Sequence, residues 1–167
     1  GENFRGIAQF DNPISDIAIN SNDNYIVYVT TSNRVGSAEY QQPANPKVMK
    51  VIVPETGNAE KIDITGDLPD NQAFFAIVHQ PRDLKNSIYL GTSLGVYRTD
   101  DELIVEGLWE DYSNNLPNTA VSDLEISVKH ATIAASTYGR GIFTSPINVE
   151  IADYDMSASL KGALIVA

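Results

Sequence analysis

Two aspartates are the residues in this sequence that could most readily form a catalytic pair of a general acid and a general base. Asp16 lies in Ile14–Ile19 and Asp123 lies in Val121–Ile126, two stretches that share an apolar-Ser-Asp-apolar pattern. Hydrolysis of a glycosidic bond needs two carboxylates that face each other across a cleft. Asp16 and Asp123 instead occupy the same position in two related stretches, which favours a structural hydrogen-bonding role. We therefore predict no catalytic residue in this chain.

The two histidines and one oxygen-rich segment are the candidates for a metal site. His79 and His130 follow strand-like stretches at positions that do not correspond, and a two-histidine site needs further ligands at suitable spacing. Both are expected at the surface. Asn20–Asn24 (NSNDN) offers the hard oxygen donors that calcium prefers, but it lacks the EF-hand pattern. A plain β-turn is the favoured interpretation, calcium binding is the alternative, and no other cofactor is expected.

Aromatic side chains could bind a sugar or a protein by stacking. Besides Tyr40, the candidate ligand-binding residues are Tyr138, Arg140, Trp109 and Tyr97. Glycines stand on both sides of Arg140, so the backbone there can bend sharply and expose Arg140 and Tyr138. Packing of a hairpin is the simpler interpretation of Trp109. The sequence thus leaves a binding role and a structural role open for these residues.

Composition limits the classes of partner. The 167 residues carry a formal net charge of −11, whereas binding to nucleic acid or to an anionic membrane surface needs clustered Lys and Arg. The absence of cysteine excludes disulfides and thiolate metal sites. No apolar run approaches the length of a membrane span. The start at Gly1 has neither the basic residues nor the apolar stretch of a secretory signal, which suggests a processed or excised fragment.

Strand signals dominate the chain. β-branched and aromatic residues concentrate in short runs that are separated by Asn, Asp, Gly and Pro clusters typical of turns. The predicted strands cover Ile14–Ile19, Tyr25–Thr31, Val48–Val53, Lys61–Thr65, Phe74–Val78, Ile88–Leu90, Gly95–Thr99, Val121–Ile126, Thr132–Ser136 and Gly141–Thr144. For Thr99–Trp109 a hairpin-type connection is predicted, because Gly107 weakens the alternative, a short helix that begins with a capping box.

An internal repeat is the most informative feature. Asp63–Asp70 (DITGDLPD) recurs as Asp111–Asn118 (DYSNNLPN), 48 residues later, and Ile14–Ile19 recurs as Val121–Ile126. Several short strands in each copy, at a period near 48, are typical of the four-stranded blades of a β-propeller. The longer first copy contains an insertion over residues 33–47 that reads as a loop, and Phe4–Gln9 is predicted to be the outer strand of a preceding blade.

Two motifs carry a resemblance to a known family. Tyr97–Asp101 followed by Trp109 resembles a degenerate Asp-box of the sialidase-type (BNR) repeat, in which Thr99, Asp101 and Trp109 match and the central Gly is displaced. Thr137–Phe143 is similar to the last blade of sortilin-type (VPS10-like) and xyloglucanase-type propellers. The resemblance spans roughly Ile14–Ile147 and implies a structural role for the three Asp-box residues. The arginine triad of true sialidases has no supporting pattern here.

These observations predict an all-β chain of about three four-stranded antiparallel blades. The blades would occupy residues 10–70, 71–118 and 119–147 of a partial propeller, and residues 148–167 would form a linker or an edge-completing strand. The resemblance implies a non-catalytic binding or scaffold module for a protein or glycan, in a secreted or surface-associated bacterial protein. The alternative is part of a xyloglucanase-like glycoside hydrolase whose cleft needs further blades. Open blade edges also predict self-association, since unpaired edges template pairing with another chain.

Overall fold

Eleven strands and one short α-helix make up the described part of the chain. The computed structural model describes residues 3–32, 45–70 and 72–147. Tyr40, most of the predicted insertion and the segment 148–167 lie outside these residues. None of the helices that the structure describes has the length and hydrophobicity needed to cross a bilayer.

The strands form three separate antiparallel sheets, each a meander of consecutive strands. Sheet 1 contains β1 (Ile14–Ile19), β2 (Ile26–Thr31), β3 (Lys47–Ile52) and β4 (Glu60–Asp63). Sheet 2 contains β5 (Phe74–His79), β6 (Ile88–Thr92), β7 (Gly95–Thr99) and β8 (Glu110–Asp111). Sheet 3 contains β9 (Val121–Ser127), β10 (Thr132–Thr137) and β11 (Gly141–Pro146). The prediction of an all-β chain built from antiparallel sheets is confirmed; the predicted four strands are present in sheets 1 and 2, whereas sheet 3 has three among the described residues.

The first strand of each sheet packs against the first strand of the next. β1 contacts β5 and β5 contacts β9, so the three sheets follow one another in sequence order. Between sheets 1 and 2 the apolar core includes Tyr28, Ile77 and Leu90. Between sheets 2 and 3 it includes Tyr89 and Leu124. Each sheet therefore buries residues against its neighbour in the chain.

A β-bulge recurs at the second residue of each first strand. In β1, Ile14 pairs with Thr31 while Asp16 pairs with Thr30, which leaves Ser15 as the extra residue. The register of β5 shifts in the same way at Phe75, and that of β9 shifts at Ser122. Because a bulge bends a strand and increases its twist, the three sheets share one local geometry. The sequence repeat is thus matched by a structural repeat.

Two local predictions were wrong. The connection between β7 and β8 contains helix α1 (Asp101–Glu106), which Asp100 caps at its N-terminus. Gly107, which argued against a helix, ends it instead, because its φ of 71° is the left-handed conformation that a helix C-cap favours. The second wrong prediction is the outer strand at Phe4–Gln9, because this segment forms no strand. It is held against sheet 1 by a hydrogen bond from Lys61 Nζ to the Gln9 carbonyl at 2.8 Å.

Candidate functional site

One end of the three sheets carries corresponding backbone hydrogen bonds. The Ser32 N–H donates to the Pro13 carbonyl at 3.0 Å, and the Ser93 N–H donates to the Ala73 carbonyl at 2.9 Å. In sheet 3 the Tyr138 N–H donates to Ala120 at 2.9 Å. These bonds fix the residue after each second strand against the segment that leads into the first strand. We call this end, defined by Ser32, Ser93, Leu94, Tyr138, Gly139 and Arg140, the turn surface.

Tyr138 and Arg140 are exposed on the turn surface, as are Leu94 and Gly139. The Tyr138 side chain is 82% exposed, although its backbone is held on both sides, because its carbonyl also accepts from Thr119 Oγ1 at 3.1 Å. Arg140 is exposed in the same turn. Gly139 and Gly141 have φ values of 75° and 94°, which side-chain-bearing residues rarely adopt. The structure thus places two of the predicted ligand-binding residues side by side on a fixed turn.

Trp109 lies in the core between sheets 1 and 2. Its indole N–H donates to the Ile64 carbonyl at 2.9 Å, and its backbone N–H donates to Asp67 Oδ1 at 2.7 Å. Trp109 is buried in the apolar cluster between sheets 1 and 2, so its ring presents no open face to a ligand. Trp109 therefore joins sheet 2 to the segment that follows β4.

Tyr97 is also placed away from the turn surface. It packs against the core between sheets 1 and 2, and its hydroxyl accepts a hydrogen bond from Gln72 Nε2 at 3.2 Å. The four predicted ligand-binding residues therefore separate into an exposed pair, Tyr138 and Arg140, and two residues that support the fold.

The Asp-box-like residues sit around the start of α1. Thr99 is buried, and its hydroxyl donates to the Leu108 carbonyl at 2.8 Å. Asp101 reaches sheet 1, where it accepts from Lys50 Nζ at 3.3 Å, and it accepts from Asn86 Nδ2 at 2.6 Å. The carboxylate that caps the helix is that of Asp100, which the motif comparison passed over. Asp100 Oδ1 accepts from the N–H groups of Glu102 and Leu103.

Asp16 holds sheets 1 and 2 together at the repeated bulge. Its Oδ2 accepts the Ile77 N–H at 2.8 Å across the gap between the sheets. Its Oδ1 accepts the N–H of the next residue, Ile17, as Asp123 Oδ1 accepts that of Leu124. The two carboxylates lie on different sheets at corresponding positions, and Asp16 has the hydrogen-bonding role expected for it.

A groove beside α1 collects several charges that all have partners. Arg98 Nη2 pairs with Asp100 Oδ2 at 2.8 Å and donates to Ser87 Oγ, and Arg98 Nη1 pairs with Glu110 at 2.9 Å. Asp83 in the same groove accepts the Ser87 and Lys85 N–H groups. These bonds hold a loop and a helix end in place. Among residues 3–32, 45–70 and 72–147, no group of three or more His, Asp or Glu is positioned to hold a metal.

His79 lies inside a polar junction between sheets 1 and 2, so the prediction of a surface histidine was wrong for it. The ring is 4% exposed and stacks on Tyr28, with centroids 5.9 Å apart. The Ser21 N–H donates to Nδ1 at 3.2 Å, which makes Nε2 the protonated nitrogen of the neutral ring. His130, in contrast, is exposed as expected. We name His79, Tyr28, Ser21, Asn22 and Asn86 the polar junction.

The Asn20–Asn24 turn supplies the sheet 1 side of the polar junction. Asn20 Oδ1 accepts the N–H groups of Asn22 and Asp23, so it closes the turn that joins β1 to β2. Asn22 Nδ2 then donates to the Asp83 carbonyl and to Asn86 Oδ1, each at 2.8 Å. The segment forms the predicted turn, and several of its polar atoms are engaged in this network. Its role in joining two sheets was missed, because a turn sequence does not reveal its distant partner.

Acidification is expected to weaken the polar junction. Burial lowers the pKa of His79 below its ordinary 6.5, against the opposing effect of Asn86, Asp83 and Asp101. Because the neutral form is favoured only in the folded chain, this contribution to stability is fully present above about pH 6.5 and is lost as the pH falls through the folded-state pKa. The urea concentration at the unfolding midpoint should therefore fall as the pH is lowered from 7.5 to 5. In the His79→Gln variant this fall should be smaller. An unchanged pH profile in that variant would contradict this role, and His130→Gln is the matched control.

Comparison with known proteins adds no assignment. No protein-family model matches this chain, and no curated protein matches it in sequence. The turn surface, the polar junction and the repeat are therefore the features that bear on its function.

Proposed function

We propose that this chain is a non-catalytic binding or scaffold module built from part of a β-propeller. Antiparallel meanders of up to four strands, arranged in chain order with their first strands in contact, are the parts from which propellers are made. The shared bulge supports the same interpretation, since it gives each sheet an equivalent twist at its first strand. The resemblance of the sequence to secreted bacterial repeat proteins adds secretion or surface association to the proposal.

The exposed Tyr138–Arg140 turn is the observation that carries a binding role. A tyrosine ring offers a large, rigid and amphipathic contact area at small entropic cost, and a guanidinium adds several directed hydrogen-bond donors. Here both groups project from a turn whose backbone is fixed by three hydrogen bonds. A sugar ring could stack on Tyr138 while Arg140 donates to its hydroxyl groups. We therefore propose a glycan as the ligand of the turn surface.

The carboxylates support the non-catalytic half of the proposal. Glycoside hydrolysis needs one carboxyl group that can give a proton and a second on the opposite side of the bond. In the groove beside α1, Asp83, Asp100 and Glu110 accept hydrogen bonds or pair with Arg98. Asp16 is held between two sheets. The hydrolase alternative would need paired acids from further sheets and stays a prediction.

Substitution of Tyr138 tests the proposed glycan site. In native affinity gels cast with one of the neutral polysaccharides xyloglucan, mixed-linkage β-glucan or galactomannan, the wild-type chain should be retarded by at least one polysaccharide. Tyr138→Ala should lose about thirtyfold or more in affinity, because truncating an aromatic hot-spot residue costs about 2 kcal/mol or more. Tyr25→Ala is the matched control, since Tyr25 is also partly exposed but lies at the opposite end of sheet 1.

Two results would contradict the proposal. Unretarded migration of the wild type on all three polysaccharides would remove the glycan ligand. Release of reducing sugar from the same polysaccharides, at a rate proportional to the concentration of the chain, would show catalysis. Both assays use the full 167-residue chain.

A further inference from the structure

The outer face of sheet 1 exposes residues whose counterparts in the other sheets are buried. By strand position, Ile17 in β1 corresponds to Ile77 in β5 and to Leu124 in β9. Ile77 is only 4% exposed, because it packs against sheet 1, and Leu124 is buried against sheet 2. Ile17 is 57% exposed, and Ile19 beside it on the same face is exposed as well. We call the surface formed by Ile14, Ile17 and Ile19 the leading face.

The outer face of sheet 3 exposes the opposite half of the same contact. The register places Ile142 in line with Asp123 and Ser136, just as Val48 is in line with Asp16 and Thr30. Val48 is completely buried between sheets 1 and 2, whereas Ile142 is 77% exposed. We call the surface formed by Asp123, Ser136 and Ile142 the trailing face.

Asp123 gives the trailing face a directed polar group. Its counterpart Asp16 uses Oδ2 to accept the Ile77 N–H of the following sheet. Asp123 has the same local geometry, with Oδ1 accepting the N–H of the next residue, and its side chain is exposed. A further first strand docked on sheet 3 would therefore bring an N–H, equivalent to that of Ile77, towards Asp123 Oδ2.

We propose that the leading face of one copy of this chain docks on the trailing face of a second copy, head to tail. The chain itself carries both halves of the contact that it already makes twice internally, so a second copy is the occupant whose complementarity the structure shows. Contacts between different faces of identical chains close into rings or grow into filaments. Two copies would bring together six of the described sheets, which lies within the range of about four to eight blades in closed propellers.

The contact proposed here is distinct from pairing at open strand edges. Edge pairing would use backbone groups along β11, whereas face docking buries the side chains of Ile17, Ile19 and Ile142. The inference depends on the structural repeat and not on a glycan at the turn surface. Loss of sugar binding would leave it intact, and loss of self-association would leave the proposed glycan site intact.

Light scattering and sedimentation velocity over a range of concentrations test the proposal. The wild-type chain should approach twice its mass of 18.2 kDa as the concentration rises. Ile17→Glu and Ile142→Glu should each raise the dissociation constant at least about tenfold, because a charge would be buried without a partner. Val105→Glu, on the exposed side of α1, is the matched control and should leave it unchanged. Circular dichroism would verify that each variant is folded.

Mixing the two variants separates head-to-tail docking from every symmetric alternative. The Ile17→Glu chain retains an intact trailing face, and the Ile142→Glu chain retains an intact leading face. Each alone should remain monomeric, while an equimolar mixture should form a one-to-one dimer. A wild-type chain that stays monomeric at high concentration, or a mixture that stays monomeric when the wild type dimerises, would overturn the proposal.

Discussion

Replacing Trp109 with alanine is expected to lower the free energy of unfolding by about 3–5 kcal/mol, the usual cost of truncating a large buried aromatic side chain. The ring fills the core between sheets 1 and 2. The substitution also removes the donor that satisfies the Ile64 carbonyl. Urea unfolding followed by circular dichroism measures the loss as a shift of the midpoint, provided that the slope is unchanged.

Trp109→Phe isolates the hydrogen bond from the packing. Phenylalanine keeps most of the apolar volume but leaves the Ile64 carbonyl without the indole donor, at a cost of about 1–3 kcal/mol. This variant should therefore fall between the wild type and Trp109→Ala. A Trp109→Ala chain as stable as the wild type would show that this residue does not join the two sheets.

Replacing Asp100 with alanine is expected to cost about 3 kcal/mol or more. Asp100 is buried, caps two N–H groups of α1 and pairs with the half-buried Arg98. Loss of a helix cap costs about 0.5–2 kcal/mol, and removing one partner of a buried ion pair costs about 3–5 kcal/mol. The expected loss of unfolding free energy is near the low end of these ranges, because Arg98 keeps its ion pair with Glu110. The midpoint of urea unfolding would measure it.

Asp100→Asn separates the two contributions. Asparagine is as good an N-cap as aspartate, so this variant should keep the helix start and lose only the charge beside Arg98. It should be more stable than Asp100→Ala. Asp101→Ala is a further comparison, because that carboxylate is less buried and pairs with Lys50 on sheet 1. A larger loss from Asp101→Ala than from Asp100→Ala would contradict the assignment of the cap.

The sequence predicted the strands well because their signals are local. Runs such as Ile14–Ile19 and Gly95–Thr99 form strands with the predicted bounds. Their β-branched residues and the Asn, Gly and Pro residues between them act within a few positions. The connection at α1 was harder, because Gly107 can interrupt a helix or end one, and only the backbone angle distinguishes the two roles.

The candidate site was predicted only in part, because burial depends on distant residues. Residue type made Tyr138, Arg140, Trp109 and Tyr97 candidates, and the glycines beside Arg140 indicated an exposed turn. That Trp109 lies in the core and Tyr97 packs against it depends on how the sheets meet. The burial of His79 was missed for the same reason, since Ser21 and Tyr28 approach it from another sheet. A clue was present in the repeat: His79 occupies the position of Ile19 and Ile126 in strands of similar pattern.

The meander topology has a consequence for how the chain folds. Every strand that the structure describes pairs only with strands that precede or follow it directly, so each sheet can assemble from adjacent hairpins before it meets its neighbour. Contacts that are close in sequence favour fast folding. The link between β2 and β3, from Thr31 to Lys47, is much longer than that between Thr92 and Gly95. Since each doubling of loop length adds only about 0.6 kcal/mol of closure entropy, a meander can join its strands through links of such unequal length at little cost to folding.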